Sequence, residues 1–330
     1  MMKHVNVSLF VPHLGCPNSC IFCNQKTISG KCEPLKNEDI VRACDIAKNG
    51  DYDIADSEIA FFGGSFTAIE REKMISFLET ARPYVGTSFS GIRISTRPDC
   101  IDEEVLGILK KYGVTAIELG AQSMSQEVLS ANERGHSPED TERACRLIRE
   151  YGFSLGLQMM TGLYGSDDEK DIYTARRFIE LKPDTVRIYP TTVLRETKLE
   201  ALYNEGKYTP PTLEDSIKLC SRLLLMFREN NVRVIRLGLH SGGNVEDGFV
   251  AGAYHPAFRE LVEGEIYKDL TDEKLSPLPD GDYTLAVHPR ELSKALGQKR
   301  CNVEFFRKKG KNIKFTGDET LSRYDVIIIK

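Results

Sequence analysis

Short apolar runs alternate along this chain with longer stretches whose apolar residues recur at helical spacing. The runs are Val5 to Val11, Ile59 to Phe62, Ile92 to Ser95, Ala116 to Leu119, Ser154 to Met159 and Thr185 to Tyr189. Several are almost continuously apolar, as strands buried on both faces must be. Glu70 to Ala81, Glu103 to Tyr112, Pro138 to Tyr151, Glu169 to Leu181 and Thr212 to Asn230 read as amphipathic helices. Asp102, Ser137 and Asp168 each suit an N-cap; Gly113 and Gly152 suit C-terminal stops. Six strand–helix repeats predict an α/β protein with a parallel sheet and right-handed crossovers. Such a sheet curls into a partial barrel or stays open and doubly wound, and periodicity leaves both choices. Val232 to Leu239 offers a seventh strand.

Beyond position 240 the pattern loosens. Gly242-Gly243 and the stretch from Ser276 to Gly281 look like connectors. Tyr283 to Val287 and Asn312 to Thr316 then read as strands. Pro289 to Leu296 and Cys301 to Lys309 read as helices, with Pro289 suited to a first turn and Gly297-Gln298-Lys299-Arg300 as the loop between them. The expected division is 1–240, a connector or cap over 241–280, and a small α/β module over 281–330.

Composition narrows the class. The 330 residues are 41% hydrophobic and 28% charged, which excludes a disordered chain. No apolar run approaches the roughly 18 residues of a membrane span. The N-terminus makes a poor secretory signal: Asn6 and Ser8 interrupt its apolar stretch, and His13 and the short apolar region speak against a lipoprotein site at Leu14-Gly15-Cys16. A cytoplasmic location is expected, where disulfides are rare. The net charge of −5 conceals a split, with a balance of +5 over 281–330 and −10 over the rest. A basic tail on an acidic body points to a solvated face or to nucleic acid.

The nine cysteines therefore need another reading. Three fall within eight residues, in Cys16-Pro17-Asn18-Ser19-Cys20-Ile21-Phe22-Cys23, directly after the first strand. A redox pair leaves the third thiol superfluous. Structural zinc wants four ligands, and no second Cys-x-x-Cys or His pair follows. The spacing best fits an iron–sulfur cluster with three irons bound by thiolate and a fourth left open.

Three cysteines at this spacing, on the loop after strand one of an α/β repeat, resemble the radical S-adenosylmethionine superfamily. Phe22 matches the aromatic residue before its last cysteine, which lies against the adenine. Phe61-Phe62-Gly63-Gly64-Ser65-Phe66-Thr67 resembles its second-strand motif, which receives the methionine amino group. Within the superfamily the likeness is closest to the radical half of the elongator catalytic subunit. Ser95-Thr96-Arg97-Pro98-Asp99, Glu118 to Ser123, Arg134-Gly135-His136, Gln158-Met159-Met160 and Arg187 to Thr191 resemble its motifs in order. A weaker likeness extends to oxygen-independent coproporphyrinogen oxidases. Two features depart from the elongator subunit. Its first two cysteines are more widely spaced, and only about 90 residues follow position 240, too few for its acetyltransferase domain.

The resemblance implies a partial (β/α)6 barrel of the TIM type, a [4Fe-4S] cluster on Cys16, Cys20 and Cys23, and bound S-adenosylmethionine. It also implies reductive cleavage to methionine and a 5′-deoxyadenosyl radical that abstracts a substrate hydrogen. Gly63, Gly64, Ser65, Thr67, Thr96, Arg97, Gln122 and Arg134 would join Phe22 in holding S-adenosylmethionine. Gln158, Arg187 and Tyr189, at strand ends, are candidates to act on substrate. Partners implied are an electron donor such as flavodoxin or ferredoxin, a transfer RNA or other RNA, and a separate acyltransferase.

The other six cysteines are scattered, and read as small buried hydrophobes; Cys145 and Cys220 sit on helical apolar faces. His136 is expected to cap or orient a loop, and His240 to follow a strand end. The tail's strand, helix, basic loop, helix, strand order weakly resembles a KH domain, with Lys294, Lys299, Arg300, Lys308 and Lys309 as phosphate contacts. Arg300 stands where the KH loop ends in glycine. Three functions follow: radical modification of an RNA, radical chemistry on a metabolite such as a porphyrin-like carboxylate, or an RNA-binding iron–sulfur protein without catalysis.

Overall fold

A computed structural model describes residues 6–11, 16, 20–24, 27–28, 30, 33–50, 54, 56–239 and 244–329. Val5, Cys32, His240 and the Gly242-Gly243 connector lie outside the described residues. The strands β1 (Val7–Val11), β2 (Glu58–Gly63), β3 (Gly91–Thr96), β4 (Val114–Gln122), β5 (Ser154–Thr161) and β6 (Thr185–Pro190) are neighbours in sequence and in space. The short β7 (Thr192–Leu194) leaves the sheet, and β8 (Arg233–Leu237) completes it beside β6. All seven sheet strands are parallel, and the sheet curls into a half-barrel. The seventh strand is thus real. β7 instead pairs antiparallel with β9 (Phe249–Gly252).

The expected helices form at Arg71–Ala81, Glu103–Lys111, Pro138–Glu150, Asp168–Leu181 and Leu213–Glu229. Asp102 caps its helix, accepting the Val105 N–H at 2.8 Å, and Ser137 forms a capping box with Asp140. The next cap is Asp167 rather than Asp168. Its carboxylate takes the Lys170 N–H at 2.8 Å, and Asp168 is already helical. Gly113 and Gly152 follow their helices at φ +85° and +80°, as stops should. One crossover helix, Asn37–Asn49, carries little sequence signal because it buries only Ile40 and Cys44.

The strands β10 (Gly281–Val287) and β11 (Lys311–Gly317) pair in parallel, and β12 (Ile327–Ile328) adds antiparallel to the other side of β10. Helices Leu292–Leu296 and Cys301–Lys308 cross from β10 to β11. Between barrel and tail runs a helix, Phe258–Leu275, inside the stretch that reads as connector. Its buried residues include Glu263, Gly264 and Thr271 among Phe258, Val262, Ile266, Tyr267 and Leu275. Polar and small residues on the buried side erase the apolar stripe by which a helix is recognised.

Glu263 is 2% exposed and fully paired. Arg259 Nε lies at 2.9 Å, Lys294 Nζ at 2.8 Å, and Arg323 also reaches it. Glu291 takes Lys294 as well, at 3.0 Å. These ions bind the tail to the helix. One apolar core continues from the barrel helices through Val262 and Ile266 to Leu285, Val287, Phe306 and Phe315.

Candidate functional site

The cysteine loop leaves β1 at the rim where the parallel strands end. Cys16 is exposed; Cys20 and Cys23 are half-buried. A turn closes between the last two, with the Cys23 N–H on the Cys20 carbonyl at 3.1 Å. The loop is pinned from both sides: the Ile21 carbonyl accepts from Leu199 N–H at 2.8 Å, and Asn24 Nδ2 donates to the Arg195 carbonyl at 2.9 Å. Ile21 anchors it in a small apolar cluster with Val193, Leu199 and Tyr208, and Phe22 packs alongside. Three thiols on one short loop are the donor chemistry an iron–sulfur cluster takes, one thiolate per iron, and in that respect the residues present fit the cluster.

Around the loop stand the residues expected to meet S-adenosylmethionine. Arg134 Nη1 lies 3.0 Å from Cys20 Sγ, and Nη2 donates to the Gly120 carbonyl at 2.5 Å. Gln122 ends β4 where the pairing with β5 shifts register, and its backbone is left-handed at φ +67°. A non-glycine residue held there is strained. Its side chain is buried, and Oε1 meets no hydrogen-bond donor among the described residues. A buried acceptor free to take a donor, beside the cysteine loop, fits a polar group such as S-adenosylmethionine carries.

Gly63 ends β2 at φ +105°, and a Cβ there would press to 3.2 Å from the Val11 carbonyl. Glycine is thus required for β2 to pass β1. Ser65, Thr67 and Thr96 are buried and satisfy one another: Thr96 Oγ1 lies 2.8 Å from Ser65 Oγ and 2.6 Å from Thr67 Oγ1. Thr67 also donates to the Cys100 carbonyl at 2.7 Å. These hydroxyls brace the Gly63-Gly64 turn. Arg97 forks onto Asp99 with two contacts of 2.9 Å, and its Nη2 donates to the Arg134 carbonyl at 2.5 Å. It orients the segment carrying Arg134.

His136 is buried, with Nε2 3.2 Å from the Ala121 carbonyl at the end of β4. Burial, then the nearby cations Arg134 and Arg97, push its pKa down to about 4. The ring is neutral, and its reach to Ala121 suits the loop-orienting role expected of it.

Inside the half-barrel is a cleft of about 590 Å³, lined by Phe22, Cys23, Gln122, Gln158, Arg187 and Tyr189 among others. The fold thus brings Phe22, Gly63 and Gln122 of the expected cofactor residues, with Cys23, to one cavity with all three candidate substrate residues; Gly64, Ser65, Thr67, Thr96, Arg97 and Arg134 do not line it. A larger groove of about 740 Å³ lies on the outer helices beside Glu139, Glu142 and Tyr173, away from every expected site residue.

The cleft is organised by a residue not singled out above. Glu118 in β4 is 1% exposed. Arg187 Nη2 donates to it at 2.8 Å, Gln158 Nε2 at 3.0 Å and Arg93 Nη1 at 3.2 Å. Arg93 also holds Glu58, at 2.6 Å. Arg187 lies over the Phe62 ring at 5.1 Å. Burial works against its charge, but Glu118 outweighs this and raises its pKa. Burial raises the Tyr189 phenol, with Arg187 opposing. Gln158 and Arg187 thus meet the cleft while committed to Glu118. The sequence signal was there: an acid within an apolar strand, and arginines on two other strands.

In the tail, Lys294 is drawn onto Glu263 and Glu291, and Lys309 pairs with Asp272 at 2.8 Å over the Phe305 ring. Lys299, Arg300 and Lys308 are exposed and enter no ion pair among the described residues. Lys299 and Arg300 both have left-handed backbone. Cys44, Cys145 and Cys220 are buried, and burial raises all three thiols.

A parallel half-barrel with a three-cysteine loop at its rim and a polar-floored cleft is the arrangement that the resemblance to radical enzymes implies. The Radical SAM superfamily model matches residues 10–179, just over half of the sequence. The chain belongs to that superfamily and is an enzyme of it. The Radical_SAM C-terminal domain model matches residues 183–268. The chain is similar to tRNA uridine(34) acetyltransferases. It is 37% identical to that of Methanocaldococcus jannaschii over 131 residues, 39% of this chain and 24% of that protein. It is 28% identical to that of Dehalococcoides mccartyi over 239 residues, 62% and 52% of the two. It is also 30% identical to Elongator complex protein 3 of Mus musculus over 190 residues, 51% and 35% of the two. The chain thus spans between a quarter and about half the length of these curated relatives.

Solved structures share the fold. Archaeal Elp3 from Methanocaldococcus infernus superposes with a TM-score of 0.60 at 24% identity, covering 82% of this chain and 64% of that one. Coproporphyrinogen III oxidase from Escherichia coli gives 0.50 at 17%, covering 69% and 53%. The likeness to the elongator subunit that the motifs imply is borne out.

Proposed function

We propose that this chain uses a [4Fe-4S] cluster and S-adenosylmethionine to abstract a hydrogen from an RNA substrate of the transfer-RNA kind. The observation that carries the cofactor assignment is the pinned cysteine loop, with Arg134 on Cys20, beside a cleft lined by Cys23 and by Gln122, whose Oε1 meets no donor among the described residues. Cys16, Cys20 and Cys23 would hold the cluster. Gln122 and Arg134 would take the polar ends of S-adenosylmethionine, and Phe22 its adenine. Bound together, these groups supply a carbon radical strong enough to break an unactivated C–H bond. The protein's own part is placement. Glu118 holds Gln158 and Arg187 by hydrogen bonds, so these two side chains of the cleft floor are fixed in place. Apolar side chains, Phe10, Phe62 and Met160, line the same cavity and limit water.

The RNA substrate rests on the names of the relatives and on the basic tail, whose Lys299 and Arg300 are exposed. The tail would act as an RNA-contacting module over 281–330, with the KH likeness as its template. Anaerobically reconstituted protein should release 5′-deoxyadenosine and methionine under reductant, and Cys16, Cys20 or Cys23→Ala should abolish both. Iron retained without cleavage overturns the enzymatic reading. Mass spectrometry of RNA nucleosides from cells with and without the gene tests the substrate; identical profiles favour the metabolite reading.

A further inference from the structure

The cleft contains a guanidinium that its surroundings leave without a counter-ion. Arg236 sits on β8 opposite Arg187 in the register with β6, and lines the cavity. The charge of Arg187 is taken up by Glu118. Among the described residues Arg236 uses only Nε, donating to the Gly238 carbonyl at 3.1 Å. It enters no ion pair among the described residues. The charges that face it are Arg187 and Arg259, both cations, with the Tyr189 phenol alongside. Arg259 is itself engaged by Glu263. Burial and these two cations push the Arg236 pKa down. A desolvated cation without an anion is costly, and an incoming anion relieves that cost. The two Nη groups form a planar fork suited to paired oxygens of phosphate or carboxylate.

We infer that Arg236 anchors an anionic oxygen pair of the substrate inside the cleft, a nucleotide phosphate if the substrate is RNA. This rests on the proposed function and adds the subsite that orients the substrate. Its place on the edge strand opposite β1 sets the anion across the sheet from the cysteine loop.

The test is calorimetric titration of the cluster-loaded full chain, with S-adenosylmethionine present, using uridine, uridine monophosphate and succinate. Uridine monophosphate should bind at least about tenfold more tightly than uridine, the effect of charge-assisted hydrogen bonds to one group. Arg236→Gln should bring the two within about twofold, and Arg236→Lys should restore part, keeping the charge but not the fork. Equal binding of uridine and uridine monophosphate by wild type, or a preference that survives in R236Q, overturns the anchor for nucleotides. Arg236-dependent binding of succinate without a preference for the nucleotide keeps the anion anchor and overturns the RNA reading. Should R236Q fail to fold, inorganic phosphate supplies the check on wild type. It should compete with uridine monophosphate and not with uridine, and competition with neither overturns the anchor.

Discussion

Glu118→Gln is the most informative single change in the barrel. The substitution keeps the volume and one acceptor, and removes the charge. Arg187 and Arg93 both contact this carboxylate, and their side chains are only 19% and 12% exposed. Arg93 keeps Glu58 as a partner; Arg187 loses its only ion pair among the described residues. Breaking a buried pair from one side costs about 3–5 kcal/mol, because the remaining charge stays desolvated. With an unfolding entropy of roughly 2.1 cal/mol/K per residue over the chain, about 0.7 kcal/mol/K in all, the melting temperature should fall by about 4–7 °C. Calorimetry of the apoprotein measures this directly. The double variant Glu118→Leu, Arg187→Met should recover most of the loss, since an apolar pair replaces a desolvated one. A Glu118→Gln protein that melts within about 1 °C of wild type would refute the claim that this carboxylate organises the cleft floor.

Three further outcomes are expected. Gln122→Ala should weaken S-adenosylmethionine binding to the reconstituted protein by about tenfold in calorimetric titration, the worth of one charge-assisted hydrogen bond, and unchanged affinity would remove Gln122 from that site. His136 is held neutral, with its pKa lowered from 6.5 to about 4. Its contribution, up to roughly 3 kcal/mol, is complete above its unfolded value and is lost as pH falls through the folded one. Asp171, raised by burial to about 7, titrates with the opposite sign: the stability it adds is complete below its unfolded value of 3.8 and disappears as pH rises toward 7. The difference in urea stability between wild type and His136→Asn should therefore grow from pH 4 to 6.5, and a flat difference counts against a buried neutral ring. Glu263→Gln should speed amide exchange in β10 and β11 well before it affects β3 to β5; uniform change would show that the ion network does not bind the tail.

Much of this was legible in the chain, for physical reasons. Strands buried on both faces must be apolar throughout, so β2 to β6 stood out. Asp102 and Ser137 announced their caps because a side-chain acceptor there satisfies a backbone N–H of the first turn. Asp167 and Asp168 are chemically identical neighbours, so the cap was displaced by one. Thin or polar stripes concealed Asn37–Asn49 and Phe258–Leu275. The cysteine spacing is a local signal, legible in the chain alone. The Glu118 network is not local: its partners lie on β3, β5 and β6, and only the closing of the sheet brings them together. Arg236 was silent for the same reason, since being unpaired is a property of the fold and not of the residue.

The ion network at Glu263 has a mechanical meaning. Arg259 donates with Nη1 to the Val234 carbonyl of β8 at 3.0 Å and with Nε to Glu263, which also holds Lys294 and Arg323. Val234 is two residues from Arg236, and Lys294 is five from Lys299. Cleft wall and basic loop are thus mounted on one frame, joined through side chains rather than a linker. A substrate that bridged both, as the proposed RNA would, would be gauged as by a caliper, by its length and bend.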